Sequence, residues 1–178
     1  MTGSLIPYGH SRPKVGNRVF LAPTAVLIGD VEAGDDSSFW FQVTARGDVN
    51  YIRVGENSNI QDASTLHVTT ERFPLIIGNG STLGHGVIAH GCTIGNNCLI
   101  GIGARVLDGA VVEEGSVVGA GAVVTPGTRI PGGHLAIGIP AKPVRELREE
   151  EVALIRHTAK HYVNLKNIYL EQTLRDGY

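Results

Sequence analysis

A period of six residues runs through the middle of this 178-residue chain and limits what it can fold into. Read from position 76, every sixth residue is Ile or Val, with the single exception of Thr82. The positions are Ile76, Thr82, Ile88, Ile94, Ile100, Val106, Val112, Val118, Val124 and Ile130. Recurrence at a fixed short interval indicates a stacked repeat architecture, and strict sixfold spacing is unlike the simple alternation of a β-sandwich.

Turn residues recur in the same register. Three positions after the aliphatic residues come mostly Gly or Asn, which tolerate the positive φ of a tight corner. These positions are Asn79, His85, Gly91, Asn97, Gly103, Gly109, Gly115, Gly121, Gly127 and Gly133. Three short strands and three corners make a coil of about 18 residues, which is stable only when stacked on its neighbours. The 24 glycines and the low aromatic content of 6% suit such an architecture.

The repeat predicts an all-β solenoid, a parallel β-helix of hexapeptide repeats over residues 15–137. About four extra residues between Leu66 and Ile76 predict a loop near Thr69 to Pro74. A C-terminal α-helix is predicted over 145–175, packed along the outside of the coils, because apolar residues recur there at helical spacing. Cys92 and Cys98 fall on the small positions of consecutive hexads, which favours inward packing over a disulfide.

Charge and hydropathy exclude several classes of partner. The net charge is −2, the pI is near 6.4 and the basic residues are scattered, which argues against a nucleic-acid surface. No stretch approaches the roughly 18 apolar residues of a membrane span, and residues 1–10 do not resemble a signal peptide. These features predict a cytoplasmic protein without membrane contact.

Three of the seven histidines hold positions that the repeat makes informative. Once the loop is subtracted, the hexads that carry His67 and His90 are one coil apart, so the two side chains should stack. His85 belongs to the preceding face, beyond a corner. A neighbouring copy could complete a three-imidazole site with an open position, the ligand set of hydration zinc chemistry. The alternative is that His85 fills a turn and the other two are surface polar groups.

Several motifs together resemble those of the γ-class carbonic anhydrases and their bacterial relatives in the hexapeptide-repeat superfamily. They occur in the family's order and span most of the chain. They are Arg-Gly-Asp (46–48), Asn-Ile-Gln-Asp (59–62), His67, Gly-His-Gly-Val-Ile-Ala-His-Gly-Cys (84–92), Gly-Ile-Pro-Ala-Lys (138–142) and Tyr-Val-Asn (162–164). The repeat alone is shared with many acyltransferases, whereas the joint pattern is specific.

This resemblance implies a left-handed β-helix and a homotrimer with a zinc site at each subunit interface. His67 and His90 would bind the metal from one subunit and His85 from its neighbour. Zinc would activate water for attack on carbon dioxide, giving bicarbonate, although three imidazoles also accept Fe(II) or Co.

The resemblance also implies roles for other residues. Gln61, supported by Asn59, would orient the reacting oxygen, and Tyr162 and Asn164 would help to position substrate. Arg46, Asp48 and Asp62 would form an ion network between subunits. The chain departs from the archaeal prototype at two places. Val49 replaces a glutamate, and a short Thr-Glu-Arg-Phe-Pro segment (70–74) replaces an acidic loop with a proton shuttle, which leaves Glu71 as the candidate shuttle.

Other functions fit parts of the pattern. A coenzyme-A-dependent acyltransferase on this fold needs one histidine as general base, and a thioesterase acting on coenzyme A esters could use the same metal site. A metal-binding trimer could also serve as a scaffold without catalysis. His157 and His161 lie four residues apart on the predicted helix but lack the glutamate of the zincin motif, so a second metal site there is disfavoured.

Overall fold

The computed structural model describes residues 3–176, which form short strands followed by one helix. In chain order the strands are β1 (Ser4–Ile6), β2 (Lys14–Val15), β3 (Phe20–Leu21), β4 (Val26–Ala33), β5 (Ser38–Phe39), β6 (Thr44–Val54), β7 (Asn59–Ile60), β8 (Thr65–His67), β9 (Leu75–Ile77), β10 (Thr82–Leu83), β11 (Ile88–His90), β12 (Thr93–Ile94), β13 (Leu99–Ile100), β14 (Arg105–Val106), β15 (Val111–Val112), β16 (Val117–Val118), β17 (Val123–Val124), β18 (Arg129–Ile130), β19 (His134–Ile137) and β20 (Lys142–Glu146). The helix α1 is Glu149–Asp176.

The strands stack into three faces of a parallel solenoid. The first face holds β1, β8, β11, β14 and β17 with the start of β4 and β6, and the second holds β2, β9, β12, β15 and β18 with the ends of β4 and β6. The third holds β3, β5, β7, β10, β13, β16 and β19, and β20 closes it with an antiparallel pairing. The predicted fold class is confirmed: a left-handed β-helix of hexapeptide repeats, about seven coils long, with a C-terminal helix.

The observed coils begin earlier than the predicted boundary at residue 15, because β1 already pairs with β4. The inward phase of the repeat also differs from the predicted one before residue 90. Ile77, Leu83 and Ala89 point inward and are buried, whereas Ile76 is 37% exposed. Correspondingly, Gly80 and Gly86 take the positive φ, not Asn79 and His85. From Ile94 onward the predicted phase is correct. The step from Ala89 to Ile94 is five residues, so the corner after β11 is one residue shorter than the others.

A ladder of small polar side chains runs inside the corner between the second and third faces. The Ser58 hydroxyl donates to the Gly78 carbonyl and accepts from the Ser81 amide at 2.7 and 2.9 Å. The Ser81 hydroxyl repeats this with Gly95 and Cys98 at 2.7 and 3.0 Å. Both cysteines are free and buried, as predicted, and burial raises the pKa of Cys98 to about 11. This ladder satisfies corner carbonyls that would otherwise be buried without a partner.

Helix α1 lies along the third face, against β3, β5, β7 and β10. At its start the Glu151 carboxylate accepts the Arg148 amide at 2.9 Å, a capping contact. Farther along, the Lys166 ammonium is fully buried and donates to the Arg18 carbonyl, Asp36 and Asn167 at 2.8, 2.6 and 2.8 Å. Three donors thus meet three acceptors, which fixes the helix to the first coils.

No helix within residues 3–176 is long and apolar enough to cross a membrane.

Candidate metal centre divided between two corners

His67 and His90 meet at the turn from the first face to the second. Strand β11 pairs with β8 so that the two residues are opposite each other. His67 Nδ1 lies 3.0 Å from His90 Nε2. We call this turn the His67 corner; it comprises Asp48, His67, Thr69, His90 and Asp108. The stacking predicted from the coil arithmetic is therefore observed.

A carboxylate holds the far nitrogen of each ring. His67 Nε2 lies 3.2 Å from Asp48 Oδ1, and His90 Nδ1 lies 2.5 Å from Asp108 Oδ1. A carboxylate favours an N–H on the nitrogen that faces it, so the two facing nitrogens are left with bare lone pairs. Two lone pairs 3.0 Å apart repel unless a cation or a proton lies between them. The donor set therefore fits a divalent metal bound through imidazole, with each ligand oriented by an outer carboxylate.

Burial sets the charge state of this corner. It lowers the pKa of His67, and the hydrogen bond to Asp48 only partly opposes this effect. Burial also acts to raise the pKa of Asp48, but hydrogen bonds from Arg46 and His67 outweigh it and hold the pKa below its ordinary value. At neutral pH the corner thus presents a neutral imidazole beside an ionised carboxylate, the state in which histidine binds metals.

His85 lies at a different turn, from the third face to the first. Its Nδ1 is 2.8 Å from Asp62 Oδ2, and the side chain is 47% exposed, against 19% for His67. We call this turn the His85 corner; it comprises Gln61, Asp62, His85 and, from α1, Tyr162. The Asp62 contact directs Nδ1 inward, which leaves Nε2 as the nitrogen available to a ligand from outside the chain.

The amide of Gln61 is fixed by a buried chain of hydrogen bonds. Gln61 Nε2 donates to Asn59 Oδ1 at 3.1 Å, and Asn59 Nδ2 donates to Thr82 Oγ1 at 2.8 Å. Gln61 is only 5% exposed, and it lies one residue before Asp62. Because Nε2 is committed to Asn59, the oxygen Oε1 remains as an acceptor at this corner.

Tyr162 and Asn164 do not lie on the same side of α1. Two residues correspond to about 200° around a helix. Tyr162 packs edge-on against Trp40, with ring centroids 5.3 Å apart, whereas Asn164 is exposed. Burial, together with the Asp62 charge, raises the pKa of Tyr162. Within one chain, Tyr162 therefore belongs to the His85 corner and Asn164 does not.

The predicted ion network is divided within one chain. Arg46 Nη1 pairs with Asp48 Oδ2 at 2.5 Å at the His67 corner, whereas Asp62 pairs with His85 at the other corner. The three residues thus do not form one network inside a single chain, and a link between subunits remains a prediction. Glu71 is exposed on the predicted loop, where Thr69 and Phe73 form an isolated antiparallel bridge.

One chain does not bring the three histidines together. His85 and His90 stand at the two ends of the strand segment that includes β11, five residues apart. Within residues 3–176, no group of three or more His, Cys, Asp or Glu side chains is positioned to hold a metal ion. A single chain thus brings together two of the three predicted ligands, His67 and His90.

Sequence analysis missed two residues of the His67 corner, Asp108 and Thr69. Thr69 Oγ1 donates to Asp108 Oδ2 at 2.8 Å, while the other oxygen of Asp108 meets His90. Asp108 comes 18 residues after His90, the length of an ideal coil. Because the short corner sets Ala89 opposite Val106, 17 residues on, Asp108 lies one residue beyond the position in register with His90, so the spacing alone did not pair the two. Thr69 lies in the loop, whose path the period does not determine.

Comparisons with known proteins agree with the repeat and with the histidine motifs. A family profile described as "Bacterial transferase hexapeptide (six repeats)" matches residues 91–126. The chain is 41% identical to "Carbonic anhydrase" of Geobacillus kaustophilus, over 93% of the chain and 90% of that protein. It is 44% identical to "Gamma carbonic anhydrase 2, mitochondrial" of Arabidopsis thaliana, over 90% of the chain and 59% of that longer protein.

Among solved structures, the chain is similar to a "hexapeptide transferase family protein from Anaplasma phagocytophilum". The TM-score is 0.90 and the identity 41%, over 93% of the chain and 98% of that structure. The names of these similar proteins thus include two carbonic anhydrases and a hexapeptide transferase family protein.

Proposed function

Because the chain belongs to the γ-carbonic-anhydrase-like family of hexapeptide-repeat proteins, we propose that it is a metal-dependent hydratase that converts carbon dioxide to bicarbonate. The observation that carries the proposal is the 3.0 Å approach of His67 Nδ1 to His90 Nε2, with a carboxylate behind each ring. A general base needs only one imidazole. Two adjacent imidazoles, each with its far nitrogen hydrogen-bonded to a carboxylate, are typical of metal ligands.

His67 and His90 of one subunit and His85 of a neighbour would hold the ion, leaving one position open. The proposed ion is zinc, with Fe(II) or Co as alternatives, because neutral imidazoles accept all three. When bound, the metal supplies a water of lowered pKa as the nucleophile.

The third ligand makes the proposed site a property of an assembly. His85 is half-exposed, and its Nδ1 is held by Asp62, so Nε2 is the nitrogen left to bind a metal. We therefore propose a homotrimer in which the His85 corner of each copy meets the His67 corner of the next. A closed ring of identical contacts repeats this pairing at every interface.

Residues of the chain orient the reactants and handle the proton. Gln61 Oε1 is the free acceptor at the His85 corner and would orient the attacking oxygen, since Asn59 fixes the other end of the amide. Tyr162 would limit the substrate space from the side of α1, and Asn164 could act there only across a subunit boundary. Glu71, exposed on the loop beside the His67 corner, is the proposed proton acceptor.

A second candidate is acyl transfer from a coenzyme A ester with one histidine as base. The family description and the Anaplasma structure, both named as transferases, favour it. A thioesterase that uses the same metal, and a metal-binding trimer without catalysis, are further readings that the same experiment separates.

The test is stopped-flow carbon dioxide hydration with zinc-loaded wild type, His90→Ala and the control His134→Ala. His134 is the first residue of β19 on the third face, away from both corners, and its Nδ1 lies 2.8 Å from the Gly132 carbonyl oxygen. The proposal expects hydration above buffer for wild type and His134→Ala and loss of it in His90→Ala. Equal rates for all three would refute the hydratase. In that case, release of free coenzyme A from acetyl-coenzyme A, with or without an acceptor amine, would identify the transferase or the thioesterase.

A further inference from the structure

We propose that Asp108 is a positioning residue for His90, and that Thr69 of the loop holds Asp108 in place. The two carboxylate oxygens of Asp108 have separate partners. Oδ1 lies 2.5 Å from His90 Nδ1, and Oδ2 accepts from Thr69 Oγ1 at 2.8 Å. The inference rests on the proposed function, since it concerns how a metal ligand is prepared.

The contact determines which nitrogen of His90 carries the proton. An ionised carboxylate 2.5 Å from Nδ1 favours an N–H there, so Nε2, the nitrogen facing His67, is bare. In the other tautomer Nε2 would carry the proton and would be blocked for a metal. Asp108 therefore acts before any metal arrives, by selecting the ligand form of the ring.

Asp108 cannot easily turn away, because the loop holds it from the other side. Thr69 is fixed in turn by Asn50, whose Nδ2 donates to the Thr69 carbonyl at 3.0 Å. The Thr69–Phe73 bridge closes the loop into a short, tied turn. The extra residues of the repeat thus supply a hydroxyl beside the carboxylate that braces His90.

Asp108 and the loop leave no room for a side chain at two corner glycines. A Cβ at Gly91 would meet Asp108 Oδ1 at 2.5 Å and Phe73 Cβ at 2.8 Å, and a Cβ at Gly109 would meet the Phe73 ring at 3.0 Å. Six other corner glycines would meet nothing within 4 Å; they are Gly86, Gly103, Gly115, Gly121, Gly127 and Gly133. A Cβ at Gly80 would also meet a close atom, Asn97 Oδ1 at 2.8 Å, but that is a neighbouring corner side chain. At Gly91 and Gly109 the close atoms include Phe73 of the loop, which indicates that the loop and Asp108 form one fitted unit over this corner.

The test measures zinc affinity by chelator competition on the full-length, metal-stripped protein, together with the ¹⁵N chemical shifts of His90 in the metal-free state. The variants are Asp108→Asn, Thr69→Val, Thr69→Ser and the matched control Asp35→Asn, a corner carboxylate on the first coils whose two oxygens accept from Asn17. We expect Asp108→Asn to weaken zinc binding about 10–100-fold. Thr69→Val should weaken it less, and Thr69→Ser and Asp35→Asn should behave as wild type.

The tautomer measurement separates this inference from the proposed function. If wild type binds no zinc, the proposed function fails, and the ¹⁵N shifts alone decide the inference. A proton on Nδ1 of His90 in wild type that shifts toward Nε2 in Asp108→Asn supports it. The same tautomer in both proteins, or a zinc affinity of Asp108→Asn within twofold of Asp35→Asn, overturns it. Thermal melts of each variant show that the compared proteins are folded.

Discussion

The His67 corner and the His85 corner carry similar residue types but are built in opposite ways. At the His67 corner both rings are braced by carboxylates and covered by a loop, and His67 is 19% exposed. At the His85 corner a single ring stands half-exposed beside Asp62, with α1 on one side. The closed corner fits the proposed ion, whereas the open corner leaves its imidazole accessible from outside its own chain.

This contrast separates two tasks of the proposed site, metal binding and substrate orientation. Ligand geometry is determined by local contacts at the closed corner, so metal retention should depend mainly on that corner. The open corner brings Gln61 and Tyr162 with it, so substrate orientation should depend on the partner that supplies it. Each of the following experiments tests one part of that division.

The largest effect is expected from mixing two inactive variants. His90→Ala removes a ligand from the closed corner, and His85→Ala removes the ligand of the open corner. Losing a residue that only hydrogen-bonds to a ligand costs up to roughly 100-fold in activity, so each of these variants should lower the hydration rate by more than that. When the two are unfolded together and refolded, about a quarter of the interfaces in a random trimer join two intact corners. Stopped-flow assay of the mixture should therefore recover activity. No recovery in the mixture, when wild type treated in the same way regains its activity, would overturn the proposal that two subunits share the site.

Removing the buried ammonium of α1 should loosen only the open corner. Lys166→Met leaves the buried Arg18 carbonyl without its donor and removes one of two donors from Asp36 and from Asn167, which keep their bonds to the Arg18 guanidinium. This loss should cost about 1–3 kcal/mol in the free energy of unfolding by urea. Lys160→Met, an exposed change on the same helix, is the control. Hydrogen exchange should rise at the amide of Gly86 more than at that of Gly91. Equal acceleration at the two amides would contradict the separation of the corners.

Gln61→Leu should reduce turnover without releasing metal. The substitution removes the fixed acceptor of the open corner while leaving all three imidazoles, so kcat/KM should fall about tenfold and zinc affinity should stay unchanged. Because Leu also leaves Asn59 Oδ1 without its donor, Ser81→Ala serves as a control for the loss of a buried hydrogen bond at a distant corner. A parallel loss of zinc would show that the two corners are not functionally separate.

The smallest expected effect is a pH dependence of the free energy of unfolding, which comes from the contact between Lys166 of α1 and Asp36. The hydrogen bond from Lys166 lowers the pKa of Asp36, more than burial raises it, and Arg18 adds to the lowering. Asp36 therefore contributes its full stabilisation above its ordinary pKa near 4, and loses it as the pH falls through the lower pKa of the folded state. Urea unfolding from pH 6 to about 3 should show the advantage of wild type over Asp36→Asn shrinking. A constant difference would contradict the assignment.

The repeat was sufficient to predict the stacking of His67 on His90, because a parallel ladder repeats its register once per coil and the extra loop residues could be subtracted. The predicted inward-facing positions between residues 76 and 89 were wrong by one residue. Ile76 and Ile77 are equally apolar, so the sequence did not show that the corner after β11 is one residue short. Periodicity predicts which residues share a column, and it is insensitive to a single missing corner residue.

Contacts that depend on the path of a loop or on the rotation of a helix could not be predicted. Thr69 reaches Asp108 because the loop turns back over the corner, and Lys166 reaches Asp36 across 130 positions of the chain. The separation of Tyr162 from Asn164 follows from helical geometry and was available from the sequence, but the motif alone suggested that they act together.

The ladder of Ser58, Ser81 and Cys98 has a consequence for how the chain can change in length. The Ser58 and Ser81 hydroxyls each donate to a carbonyl of the next coil and accept an amide of that coil, so these coils meet through the same chemistry. The extra loop residues lie between Ser58 and Ser81, and the short corner after His90 lies between Ser81 and Cys98, yet both sets of bonds are kept. A change in length can therefore be absorbed at a single corner while the coils beyond it stay in register, and a complete coil inserted or deleted away from the histidines would join matching hydroxyls and carbonyls.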